Sequence, residues 1–222
     1  MTIYVEAVHT VKPLTNTAFD RYVAWYGEHV IPAMKRSGFD ILGAWKRTGG
    51  AMGQDVFLHR FENMNAYQEA GIALRKDTEF LKAASLRDGA FEITEAVKVG
   101  VPVPYASEER LERALAERPE RPRQYVQAQL QVNPGGQVGF YDAMRRLAEA
   151  TDSGDYQNLV AAFETTIGQR GEMTDIWVMP GGLRSFAYRP GDPLAEIIAD
   201  LRAVAPEEST YYLNPLPYSP LQ

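Results

Sequence analysis

The 222-residue chain is predicted to be an α+β protein made of two tandem ferredoxin-like repeats, each in the order β-α-β-β-α-β. Three observations predict it. The phrase YVEAVHTVKP, Tyr4 to Pro13, returns as YVQAQLQVNP, Tyr125 to Pro134, with Tyr, Val, Ala, Val and Pro at the same places. The segment AWKRTGGAMGQDVFL aligns with AFETTIGQRGEMTDIWV, setting Thr48 over Thr166, Gly50 over Gly168 and Asp55 over Asp175 with a second turn two residues longer. Between the copies, VPVPYASEERLERALAERPERPRQ, Val101 to Gln124, brackets a charged segment with four prolines and reads as a linker. The expected organisation is therefore residues 1–103 as the first repeat, 104–123 as a linker with a short helix, and 124–222 as the second repeat with a C-terminal arm.

The elements follow in order. Ile3 to Val11 is rich in β-branched residues and closes at Pro13, a strand. Thr15 or Asn16 then caps a helix in which Phe19, Tyr22, Val23, Tyr26, Val30 and Met34 recur at helical spacing, with Gly38 as its stop. Pro32 lacks an N–H, so the carbonyl of Glu28 loses its helical partner and a kink is expected there. FDILGAWKRT and DVFLHRFE form a hairpin about the glycine-bearing turn GGAMGQ. Asn63 or Asn65 begins a second helix with a weak spot at Asp77, and FEITEAVKV is the fourth strand. In the linker, Ser107 is placed to cap a helix from Glu108 to Glu117, without the Glu or Gln of a full capping box. The second repeat runs through YVQAQLQVN, GGQVGFYDAMRRLAEA, NLVAAFETT, TDIWVM, PLAEIIADLRAVA and STYYLNPL as strand, helix, two strands, helix and strand.

A ferredoxin-like sheet carries helices on one face only. Here both faces are apolar: Tyr4 and Val8 against Val5, Ala7 and Val11, and Leu42 and Ala44 against Ile41 and Trp45. Strands apolar on both faces belong to sheets covered on both sides. The two sheets are expected to pack face to face as a pseudo-dimeric α+β barrel within one chain, or each repeat pairs with another chain.

Composition sets further bounds. Hydrophobic residues at 45% with 23% charged residues suit a globular protein with a full core. Cysteine is absent, which removes thiolate chemistry and suits a reducing cytoplasm. A net charge of −6 argues against a nucleic-acid partner. No stretch has the length of a membrane span, and the N-terminus lacks the pattern of a signal peptide.

IYVEAVHTVKP, ILGAWKRTGGAMGQDVFLHRFENMNAYQE, the following RKDTEF and the ending YYLNPLPYSPLQ together resemble the NIPSNAP family of the dimeric α+β barrel superfamily. The resemblance covers both halves and is strongest over residues 3–85 and 207–222. It implies ferredoxin-like units assembled into barrels, often in homo-oligomers. It implies no particular reaction, because the superfamily ranges from cofactor-free monooxygenases to haem proteins. One departure stands out: the Arg and Tyr usual in the family's first strand are replaced by Ala7 and His9, and in the second copy by Ala128 and Leu130.

The chemistry-bearing candidates lie in the first repeat. His9, His29 and His59 have second-repeat counterparts near Leu130, Ala150 and Met179. His29 follows Glu28 beside the expected kink, one turn after Trp25, and imidazole exchanges protons near neutral pH. His9 shares a strand face with Val5 and Ala7, and His59 with Phe57 and Phe61. His29 and His9 are the acid–base candidates; a surface histidine at a helix end and hydrogen-bonded core histidines are the alternatives. Trp25, Tyr26, Trp45, Arg47, His59 and Arg60 are the candidate binding residues: aromatics for a flat organic ligand or simply core, strand arginines needing an anionic ligand or a carboxylate such as Glu6. The histidine spacing makes no metal motif, GGAMGQ is not a phosphate loop, and the sequence requires no cofactor. The reading is a small-molecule enzyme acting on a hydrophobic aromatic compound by acid–base or oxidative chemistry. Its alternatives are a binding or assembly protein with a filled barrel and a haem-binding barrel.

Overall fold

The structure, a computed structural model, describes residues 1–49, 51–85, 89–152, 156–182 and 193–222. Gly50 of the aligned turns and Leu86 at the end of the second expected helix lie outside the described residues. The chain divides into two compact units, Met1–Val99 with Pro215–Leu221, and Gly100–Asn214 with Gln222.

The first unit runs β1 (Ile3–Lys12), α1 (Asn16–Trp25), a π-helical turn (Tyr26–Val30), α2 (Ile31–Arg36), β2 (Asp40–Gly49), β3 (Gln54–Phe61), α3 (Met64–Lys76), α4 (Thr78–Ser85) and β4 (Glu92–Pro102). Its strands lie in the order β4-β1-β3-β2, that of a ferredoxin-like sheet. The caps are those the sequence offers: Thr15 accepts from the Ala18 N–H and Asn63 from the Ala66 N–H. The kink expected at Pro32 takes the form of the π turn, where the Ile31 N–H donates to the Tyr26 carbonyl. A widened turn takes up the register that Pro32 breaks. The weak spot at Asp77 is a true break between α3 and α4. There Asp77 caps α4 by accepting from Phe80 and pairs with Arg36 at 2.9 Å.

Both faces of this sheet are buried. Towards the helices, Ala7, Val11, Ile41, Ala44 and Phe57 join Phe19, Tyr22 and Met34 in one core. On the opposite face Tyr4, Glu6, Leu58 and Trp45 are buried as well. Each fully buried large apolar side chain contributes about 1.5–3 kcal/mol. Residues 215–221, read as an arm, complete this unit: the Leu216 N–H donates to the Ala44 carbonyl at 2.9 Å and Ser219 Oγ accepts from the Ala44 N–H.

The second unit holds α5 (Glu108–Ala116), β5 (Gln124–Gln131), α6 (Gln137–Thr151), β6 (Asn158–Ile167), β7 (Glu172–Met179), α7 (Pro193–Val204) and β8 (Glu207–Pro215). Its strands follow the equivalent order β8-β5-β7-β6. The part of the chain expected as an exposed linker is built into this unit. Val103 and Tyr105 enter its core, and Leu111 of α5 is buried. Ser107 stands at the N-cap of α5 but makes no side-chain capping bond.

Strand register gives a firmer sign of duplication than the sequence match. β2 shifts register on β3 between Ile41 and Gly43, and β6 shifts on β7 between Leu159 and Ala161. The same bulge thus occurs at the same place in both hairpins. It also corrects the alignment: Ala44 pairs with Phe57 and Ala162 with Asp175. Asp175 therefore stands where Phe57 stands, two residues beyond the counterpart of Asp55, and the second hairpin is not longer. The counterpart of His59 is Trp177 rather than Met179. A slip of two keeps both aspartates on the helix-facing side, because side chains alternate with period two.

Candidate functional site

In the first unit, the helix-facing side of the sheet and the helices enclose an open cavity of about 900 Å³. Val5, Ala7 and His9 of β1, His59 of β3, and Ile93, Glu95 and Val97 of β4 form its floor. Trp25, Tyr26, Val30, Met34 and Phe39 form one wall, and Tyr67, Gln68, Gly71, Ile72, Leu74, Arg75, Phe80 and Ala84 another. On α3, Ala70 is the one buried side chain, and Gly71 beside it also lines the space.

Few polar groups converge in this apolar space. Buried His9 sets Nδ1 2.8 Å from Tyr22 Oη and 3.1 Å from Asp55 Oδ1, and Nε2 3.2 Å from Glu95 Oε1. The Tyr22 hydroxyl donates to Asp55 Oδ2 at 2.7 Å. Burial pushes the His9 pKa down, but hydrogen bonds and charge from Asp55 and Glu95 outweigh it and hold it up at about 9. His9 is thus an imidazolium at neutral pH. Its hydrogen bond holds the Glu95 carboxyl below the usual range, so Glu95, 55% exposed in its side chain, is a carboxylate at the mouth. His59 is the opposite case. Burial, helped by the His9 charge, lowers it to about 3, and its Nδ1 is buried without a hydrogen-bond partner among the described residues. Its neutral ring stacks on Phe57 with centroids 5.9 Å apart. The cavity therefore combines a fixed cation, a carboxylate and a neutral imidazole in aromatic surroundings.

Four of the residues singled out from the sequence line this space: His9, His59, Trp25 and Tyr26. The other four do not. His29 lies on the π turn with its side chain 36% exposed, 3.9 Å from Glu28. The turn that relieves Pro32 carries it off the cavity wall, while Trp25 keeps its place there. Trp45 is fully buried on the opposite face of the sheet, across from Val56. Arg47 is buried and donates to Gln54 Oε1 at 2.9 Å. Arg60 pairs with Asp40 at 2.8 Å; Glu6, offered as a partner for such an arginine, pairs with Lys98 at 3.2 Å. Sequence reasoning missed Glu95, Asp55 and Tyr22. Glu95 alternates with Ile93 and Val97 in EITEAVKV, and a charged residue on an apolar strand face is the signal that pointed to it.

Among the described residues, no group of three or more His, Asp or Glu side chains is arranged to hold a metal ion. The two histidines of this cavity are not arranged as haem ligands. Both His9 nitrogens are engaged, and among the described residues His59 Nδ1 lacks the acceptor that usually orients a ligating imidazole. Among the described residues no helix is long and apolar enough to cross a membrane.

No protein-family model matches the chain, and no curated protein matches it. Solved structures do. A Fusobacterium nucleatum protein provisionally assigned as a monooxygenase is 11% identical, with 97% of this chain and 92% of that chain covered and a TM-score of 0.64. An anthrone oxidase-like protein is 10% identical, with 100% and 94% covered and a TM-score of 0.61. A NIPSNAP-like domain protein from Burkholderia xenovorans is 15% identical over 48% of this chain and 89% of its own, with a TM-score of 0.43, too low to carry an argument. At such identities the likeness shows the fold alone, an α+β fold of the dimeric α+β barrel type.

Proposed function

We propose that the first unit binds a flat, largely apolar organic molecule of aromatic character and moves a proton on it without a metal. The carrying observation is the 900 Å³ cavity in which Glu95 and His9 meet at 3.2 Å amid aromatic walls. Its volume lies at the upper end of the range of about 300–1,000 Å³ usual for small-molecule sites. Glu95 accepts a proton from an acidic C–H or O–H of the ligand. The adjacent imidazolium of His9 stabilises the resulting anion, and the apolar walls strengthen that attraction. In this role His9 is the electrostatic partner and Glu95 the base.

The oxidative form of the proposal takes such an anion on to dioxygen: a CH₂ becomes C=O, one oxygen atom enters the product and the other leaves as water. The names of the similar solved structures accord with it. The alternative is a non-catalytic binding or assembly protein; the open cavity speaks for a ligand in either case. Homo-oligomeric assembly and a cytoplasmic location complete the proposal.

Anthrone is the first probe. Binding with oxygen uptake in the wild type, and Glu95→Gln that binds but takes up at least 100-fold less oxygen, is the expected result. Absence of binding to anthrone and to smaller phenols overturns the proposal; binding without uptake leaves the non-catalytic reading.

A further inference from the structure

The second unit has its own cavity, of about 370 Å³, lined by Leu130, Trp177, Ile198 and Leu201 among other apolar residues and by Asp175. In the first unit the buried Asp55 has an internal cation, His9, at 3.1 Å. The strand position of His9 is occupied in the second unit by Leu130, and among the described residues the buried carboxylate there has no such partner. Asp175 is 1% exposed. Its Oδ1 accepts from the Tyr105 hydroxyl at 2.8 Å, while its Oδ2 is buried and has no hydrogen-bond partner among the described residues. A buried carboxylate oxygen left this way is costly unless something supplies a donor.

We propose that this cavity is a second, separate binding site, and that it takes a small hydrophobic amine whose ammonium occupies on Asp175 the role that the His9 imidazolium has on Asp55. The apolar tail lies against Trp177, Leu130, Ile198 and Leu201. The charges around the cavity favour a cation. Besides Asp175 it is lined by Glu208 and Arg202, which pair with each other, so among the described lining residues one negative charge is in excess when Asp175 is ionised. Burial pushes Asp175 up to about 7, opposed by the Tyr105 hydrogen bond and assisted by Glu208. Tyr105, whose own pKa burial and the Asp175 charge hold well above normal, remains a donor throughout. The empty site therefore holds a proton below neutral pH, and an ammonium displaces it.

Calorimetry with 2-phenylethylamine and its neutral analogue 2-phenylethanol tests this. At pH 8 the amine is expected to bind at least tenfold tighter than the alcohol. At pH 6 that advantage shrinks, and the heat depends on the buffer because a proton is released. Asp175→Asn removes the preference for the amine but keeps the alcohol. Leu130→His, which sets an imidazole diagonally opposite Asp175 within cross-strand reach, supplies the cation internally and also abolishes it. Glu95→Gln, in the other cavity, leaves it unchanged. Equal binding of the two compounds, binding of neither, or a preference that survives both second-unit substitutions overturns the proposal.

Discussion

His9 Nε2 lies 3.2 Å from Glu95 Oε1, and this contact reverses the roles the two residues suggest on paper. A histidine is the natural base at neutral pH and a glutamate on a strand the natural salt-bridge partner. Here the imidazole is held between two carboxylates and keeps its proton. In the proposed chemistry the carboxylate at the cavity mouth is then the acceptor.

The pH dependence of stability should carry the signature of His9. Its folded pKa, about 9, lies above the unfolded value of about 6.5, so the folded chain holds the proton more tightly. Its contribution is full below about pH 6.5 and is lost as pH rises through 9. Thermal unfolding from pH 6 to 9.5 should show a decline of up to about 3 kcal/mol, flattened in His9→Gln. A His9 titration midpoint below 7 by NMR contradicts this.

His59 should act in the other direction. Its folded pKa, about 3, lies below the unfolded value, so its contribution is present above about pH 6.5 and is lost as pH falls towards 3. His59→Phe removes that acid sensitivity and relieves the unpartnered Nδ1. A gain of about 1 kcal/mol at pH 5 is expected; a loss of 2 kcal/mol or more would show that the imidazole has a partner in solution.

His29→Ala should leave both stability and ligand binding nearly unchanged, within about 0.5 kcal/mol. Its side chain lies outside the cavity lining. A tenfold loss of anthrone binding in this variant would return His29 to the site.

Gly43→Ala tests the bulge. A Cβ at Gly43 would stand 2.0 Å from the Trp45 ring, so the indole must move in a fully buried position. Denaturant unfolding should register a loss of about 1–3 kcal/mol. The second unit has Ala161 at this place but Phe163 for Trp45, a smaller ring that leaves room for the methyl group.

Much of the fold was legible because it is written in local signals. The repeated strand phrase, the caps Thr15 and Asn63, the break at Asp77 and the disturbance before Pro32 each follow from nearest neighbours along the chain. The site was only half legible. Period-two alternation put His9 and His59 on apolar faces, and both line the cavity. It does not tell which face meets the helices, so Trp45 reads as a pocket residue from the sequence although it lies behind the sheet. Asp55 opposite His9 is a matter of strand register, which bulges shift and a sequence alignment does not see. Glu95 lies 86 positions from His9 in the chain, and no local pattern links them.

Leu216 and Ser219 bond to Ala44 across more than 170 residues of chain, and this has a consequence for synthesis. When the ribosome has finished residues 1–99, the backbone groups of Ala44 that these residues later satisfy are still open to water or to other chains. The first unit is therefore made early but completed late, after the second unit has emerged. A gene cut after residue 103 would yield a nascent chain without its closing segment. The cavity of that half would then be built on a fragment whose Ala44 backbone groups stay open to other chains.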